Sequence, residues 1–235
     1  MCGRYSLAID YDALEGRFTL RGALQLPLAP RYNIAPTQEV LTVVNKGAGN
    51  EAKMMRWGLI PLWANEPSVG NQMINAKAES VAEKPSFRQA FRKRRCLVIA
   101  DGFYEWQKVP GGKTPIRMIV GGGEPFGFAG LWETWQSQEK EFVHSCTIIT
   151  TTPNELTATI HNRMPVILPM EAEALWLSQD TDSAVLKSLL VPYAGSMEAY
   201  EVSTLVNSPR NDTPAVMERI PGDNDFFAPG LLGHL

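Results

Sequence analysis

Runs rich in β-branched and aromatic residues, several alternating with polar ones, predict strands over residues 4–9, 40–44, 54–59, 95–107, 115–120, 126–135, 142–151 and 199–203. The connections between them are short. Val109-Pro110-Gly111-Gly112-Lys113 and the glycines at 121–123 read as hairpin turns, which favours antiparallel pairing over βαβ crossovers.

Helical signals are fewer. Ser86 and Gln89 have capping-box spacing, followed by Phe87, Ala90 and Phe91 on one helical face. Thr152-Pro153-Asn154-Glu155 predicts a second start, with Thr152 as N-cap, Pro153 in the first turn and Glu155 three residues on, and that short helix would lead into His161. Residues 170–177 and 182–190 complete the helical set, and 11–18 is a weaker candidate because it contains Gly16. The sum is an α+β domain: a mainly antiparallel, barrel-like β-sheet flanked by short helices. One domain is expected over 1–221, followed by a C-terminal tail over 222–235. There is no internal repeat and no phosphate-binding glycine loop.

With 235 residues, 44% hydrophobic and 20% charged, the chain can bury a substantial single core. Cys2, Cys96 and Cys146 are odd in number and widely spaced, which fits neither a disulfide framework nor a zinc site, and no metal is expected. No apolar run reaches the length of a membrane span, and Asp10 and Asp12 stand where a signal peptide needs its apolar stretch, so a cytoplasmic protein is expected. A net charge of −3 gives the molecule as a whole no attraction to a polyanion, so any nucleic-acid site must be local. Arg88, Arg92, Lys93, Arg94 and Arg95 form one such patch, or simply a solvated helix face.

Position two carries the most distinctive chemistry. Removal of Met1 leaves Cys2 with a free amine beside its thiol, and a 1,2-aminothiol condenses with an aldehyde to an imine that its sulfur then closes to a thiazolidine. An α-amine titrates near 8 and a thiol near 8.5, at roughly these values in model peptides, so both nucleophilic forms are accessible without a metal. Taken alone, Cys2 reads more readily as just a small residue.

Five polar stretches accompany it: Cys2-Gly3-Arg4, Arg31-Tyr32-Asn33-Ile34-Ala35-Pro36-Thr37, Asn75-Ala76-Lys77-Ala78-Glu79, Asp101-Gly102-Phe103-Tyr104-Glu105-Trp106, and Ile160-His161-Asn162-Arg163-Met164-Pro165. In this order, with Val206-Asn207 at the end, they resemble the SOS response-associated peptidase (SRAP) family. The resemblance implies a fold of that family and a DNA-protein crosslinking activity in which Cys2 captures the ring-opened aldehyde of an abasic site in single-stranded DNA. Asn75, Glu105 and His161 fall on the other active-site positions, and Arg4, Lys77 and Arg163 where backbone phosphates are held. Loss of Met1, self-catalysed under the peptidase label, is implied as well, with lyase and hydrolase both open as the class. No organic cofactor is implied, a monomer is the default, and the setting is bacterial and nucleoid-associated when DNA is bound. Lys77 stands where arginine is frequent and a single Trp63 where two tryptophans are common, departures that bear on DNA grip rather than on the nucleophile.

The residue types suit that chemistry. A histidine, able to ionise near neutral pH, can assist opening of the sugar hemiacetal at 161, and a glutamate in an apolar strand at 105 can shuttle the protons of imine formation. Asn75 donates and accepts at once. Each also has a plainer reading: Glu105 in a structural ion pair, His161 bracing a turn, Asn75 in a turn, with His144 taken as structural. Trp57, Trp63 and Trp106 are candidates to stack on bases; Trp63 leads because its segment reads as a loop, and Arg88 joins the cations of the DNA-binding set. Two other classes stay open: an N-terminal-nucleophile amidohydrolase or peptidase using Cys2, and a non-catalytic binder of single-stranded or modified DNA.

Overall fold

The computed structural model describes residues 2–21, 28–221 and 226–227. Its strands are, in chain order, β1 Tyr5–Leu7, β2 Arg31–Ile34, β3 Glu39–Asn45, β4 Asn50–Trp57, β5 Asn75–Lys77, β6 Arg95–Ala100, β7 Gly102–Val109, β8 Gly112–Val120, β9 Phe126–Gln136, β10 Phe142–Thr151, β11 Met164–Pro165, β12 Ile167–Leu168, β13 Met197–Glu201 and β14 Phe226–Phe227. The helices are α1 Tyr11–Phe18, α2 Arg88–Lys93, α3 Glu155–Ala158, α4 Met170–Leu177 and α5 Ser183–Ser188. Apart from β14, the tail expected over 222–235 lies outside the described residues, as does Met1.

One sheet runs β14-β13-β8-β7-β1-β2. The other closes on itself through β10-β4-β3-β6-β9-β10, a five-strand barrel, with β5, β11 and β12 added at its rim. An odd number of strands cannot alternate direction all the way round, so one seam must be parallel. That seam is β10 with β4, Ser145 opposite Arg56 and Cys146 opposite Trp57, and the other four barrel pairings are antiparallel. β5 also lies parallel to β10, with Asn75 opposite Ile148, so β4 and β5 act as one interrupted strand along β10. The chain leaves β10 where Gly58 N donates to Cys146 O and returns where Ile148 N donates to Ile74 O, extruding the loop between. Its neck depends on glycine: a Cβ at Gly58 would sit 2.6 Å from the Gly70 carbonyl oxygen.

The sheets meet through aromatic side chains. Tyr5 of β1 lies edge-on to Trp57 and Phe128 of the barrel, with ring centroids 5.1 and 5.9 Å apart, and Phe103 of β7 contacts Phe128 at 5.9 Å.

Several expectations are corrected. The single strand over 95–107 is two strands in different sheets, because the chain turns at Asp101. That carboxylate is buried and accepts from Ser6 Oγ and Ala8 N, each at 2.5 Å, and from Arg117 at 3.2 Å, and these partners hold the corner. Gly121, Gly122 and Gly123, all with positive φ, do not close a hairpin; they carry the chain from β8 in one sheet to β9 in the other. The capping box at Ser86 does not form, since α2 starts at Arg88 after turns in which Lys84 O takes the N–H groups of Phe87 and Arg88. The cap of α3 is Asn154 rather than Thr152, its side chain accepting from Thr157 N.

Candidate active site

Ahead of β1 the chain stays alongside β7, with Tyr104 N donating to Arg4 O at 2.9 Å and Tyr5 opposite Phe103. Continuing that register brings Gly3 to Glu105. Cys2 is fully buried, and its thiol is pushed above the ordinary range, first by burial and then by the negative charge of Glu105, while a hydrogen bond from the Arg4 backbone acts against both. The Cys2 thiol therefore rests protonated.

Three side chains from separate elements gather here, Asn75 and Glu105 acting on Cys2 and His161 on Glu105. Asn75 on β5 donates from Nδ2 to Cys2 O at 2.8 Å. Glu105 on β7 is buried, and burial raises its carboxyl above the usual range, with the amino-terminal charge and His161 pulling the other way. His161 follows α3 and is held by His161 N donating to Thr157 O at 2.8 Å, while Gln107 Nε2 donates to Thr159 O at 3.0 Å and ties β7 to this turn. Its Nδ1 accepts the Arg163 N–H at 3.1 Å, a shorter contact than the 3.3 Å to Arg163 O that an Nδ1–H would use, and this geometry favours a ring proton on Nε2. The cluster combines a buried acid, an imidazole donor and an amide around an N-terminal thiol, a set able to move protons at a condensing amine and carbonyl.

The expected cations are differently disposed. Lys77 is exposed on β5. Arg4 is half-buried: its Nη1 donates to Asn33 Oδ1 at 2.7 Å and Val206 O at 2.6 Å, and its guanidinium lies 5.7 Å from the ring centre of Trp106. Arg163 is ion-paired with Glu79. Arg88 is exposed on α2, an element packed on β6 and β9, and no hydrogen bond or ion pair in the described structure links it to the Cys2 cluster. Of the remaining basic patch, Arg94 pairs with Glu133 at 2.6 Å, and buried Arg95 donates to the carbonyls of Phe91, Arg92, Trp176 and Ser178, so both serve the fold.

Among the tryptophans, Trp57 is buried, Trp106 donates to Asn207 Oδ1 at 2.7 Å, and Trp63 is 59% exposed beside Leu62 on the extruded loop. His144 sits away from the cluster on β10, bonded to Thr134 Oγ1 at 2.9 Å. Among the described residues no group of three or more His, Cys, Asp or Glu side chains is placed to hold a metal, and no helix is long and apolar enough to cross a membrane.

Sequence reasoning assigned no role to Asn33. Its Oδ1 takes the Arg4 guanidinium and its Nδ2 donates to the carbonyls of Val206, Ser208 and Asn211 at 3.2, 3.0 and 2.8 Å, which folds the 206–211 segment over Arg4. The available signal was its place in the polar stretch from Arg31 to Thr37.

An α+β fold in which a closed barrel and a second sheet enclose an amino-terminal thiol beside an acid and an imidazole defines a protein built around its own first residues. The chain belongs to the SOS response associated peptidase (SRAP) family, whose model matches residues 1–209. It is 47% identical over 222 residues to the abasic site processing protein YoqW of Bacillus subtilis (strain 168), an alignment covering 93% of this chain and 99% of that one. The abasic site processing protein HMCES of Gallus gallus is 34% identical over 257 residues, covering 91% of this chain and 76% of that one. A solved structure from Bacteroides thetaiotaomicron, 29% identical, superposes with a TM-score of 0.85 over 94% of this chain and all of that chain.

Proposed function

We propose that the protein captures abasic sites in single-stranded DNA, forming a thiazolidine through Cys2 once Met1 is removed, and so shields the lesion from strand cleavage. The observation that carries this reading is the meeting of Cys2 with Asn75, Glu105 and His161 at the start of the chain. Relatives bearing the name of abasic site processing proteins support the substrate class.

His161, as an Nε2–H donor, assists opening of the hemiacetal to the aldehyde. The Cys2 amine adds to that carbon, Glu105 relays the protons, and water leaves to give the imine. The thiol sulfur then bonds the same carbon while its proton passes to the nitrogen, so the net change is one water lost. Acid-base help of this kind contributes about 10²–10⁴ in rate. Single-strand grip comes from Lys77 and from Trp63 as a stacking platform, with Arg4, Arg163 and Arg88 as further cations.

The test is intact mass before and after mixing with an oligonucleotide containing one abasic site. Loss of Met1 and a 1:1 adduct, stable to denaturation without borohydride, are expected. Retained Met1 with no adduct overturns the reading; cleaved Met1 with no adduct favours an N-terminal-nucleophile amidohydrolase.

A further inference from the structure

One ion pair ties the turn carrying His161 to the strand carrying Asn75. Glu79, just after β5, receives both terminal nitrogens of Arg163, Nη2 reaching Oε2 at 2.9 Å. Nη2 also donates to Thr150 O at 2.6 Å, the carbonyl that takes the Ala78 N–H at 2.9 Å. The guanidinium fork matches a carboxylate and loses little freedom in doing so, which makes this a rigid joint. The Arg163 side chain is 15% exposed. Its guanidinium is thus held by protein partners, and its backbone meets His161 Nδ1 with the N–H at 3.1 Å, closer than its carbonyl oxygen at 3.3 Å.

That N–H decides how the imidazole works. An Nδ1 that accepts a main-chain hydrogen bond keeps the proton of the neutral ring on Nε2 and fixes the ring's orientation. A turn free to shift by about 1 Å would lose both, at a cost of up to about 10² in rate.

We propose, resting on the reading of the site as an aldehyde-capturing centre, that the Glu79–Arg163 pair is a brace that sets His161 as an Nε2–H donor. Glu79 and Arg163 are then positioning residues, Arg163 acting on His161 through its main chain.

Two measurements on Glu79→Ala and Glu79→Asp test this. Long-range ¹H–¹⁵N NMR of the histidine rings reads the His161 tautomer without DNA. Nε2–H should dominate in the wild type, give way to a mixture in Glu79→Ala and largely return in Glu79→Asp; an unchanged tautomer in Glu79→Ala overturns the brace. Single-turnover capture at saturating abasic oligonucleotide should slow about tenfold in Glu79→Ala, while affinity for a strand bearing a tetrahydrofuran analogue, which has no aldehyde, stays within about twofold. Tighter analogue binding with unchanged capture would instead make Glu79 a placeholder for a phosphate and sink the proposal. If the wild type captures nothing, the aldehyde reading fails while the NMR result still decides the brace.

Discussion

Asn75 Nδ2 donates to the backbone oxygen of Cys2 at 2.8 Å, and its own Oδ1 is buried without a partner. The acceptor at Cys2 forces the amide to point this way, so an oxygen is left open inside the site. A buried polar atom without a bond costs about 1–3 kcal/mol, and under the proposed function this oxygen would accept from the Cys2 amine or a sugar hydroxyl. Asn75→Ala should slow capture about tenfold without changing affinity for undamaged single-stranded DNA, read by single-turnover kinetics and fluorescence anisotropy. A wild-type capture rate would remove Asn75 from the chemistry.

Cys2, Cys96 and Cys146 are all free and buried. Burial keeps the thiols protonated, and only the thiolate alkylates readily. The folded protein should therefore resist iodoacetamide, whereas the denatured protein takes up one label per thiol, counted by intact mass. Rapid native labelling at Cys2 would show the thiol to be far more open than its position in the core.

Glu105 has a pH signature in stability. Its carboxyl is raised by burial, so above the unfolded value of about 4.3 the folded state holds a proton that the unfolded state releases. This group's effect on stability is absent below that pH and turns increasingly unfavourable as pH climbs to the folded value. Glu105→Gln should then melt higher than wild type at neutral pH, and no differently near pH 3, while capturing more slowly. Scanning calorimetry at the two pH values checks the first claim, and an equal melting temperature at neutral pH would contradict it.

Asn154 caps α3 and also donates to Tyr193 O at 3.0 Å. Asn154→Ala should destabilise by about 1–2 kcal/mol in urea unfolding and slow capture through the displaced His161 turn. A stability loss with unaltered capture would show that the turn is held by its other contacts.

A Cβ on Gly102 would lie 2.8 Å from Arg117 Nη2, within the buried cluster of Asp101 and Ser6. Gly102→Ala should cost about 1–3 kcal/mol by displacing that guanidinium. Equal denaturant midpoints for variant and wild type would show that the corner yields at no cost.

Much of the fold was legible where local and tertiary preferences agree. Residues 11–18, 142–151 and 170–177 form α1, β10 and α4 with the expected limits, because the local signals there agree with what the core buries: one face of each helix, and a continuous run from Ser145 to Thr151 along β10. The misses arise where a long-range partner decides. Asp101 breaks an apolar run only because Ser6, Ala8 and Arg117 surround it, and the parallel seam follows from closing five strands, a global condition that no local window contains. At the site, the chemistry of Cys2 and the resemblance to the family marked Cys2, Asn75, Glu105 and His161, yet the commitment of Arg163 to Glu79 and of Arg4 to Asn33 depends on residues 84 and 29 positions away. Charge alone does not say whether an arginine faces solvent or a carboxylate.

The extruded loop leaves β10 at Cys146 and rejoins it at Ile148, and its glycine neck touches itself. Asn75 is thus held in register by β10 independently of what the loop carries, while Leu62 and Trp63 project from it into solvent. The loop behaves as an exchangeable cassette. Under the proposed function, its length and its aromatic tip can drift to suit different strands while Asn75 stays in place, so that grip and reaction chemistry can evolve separately.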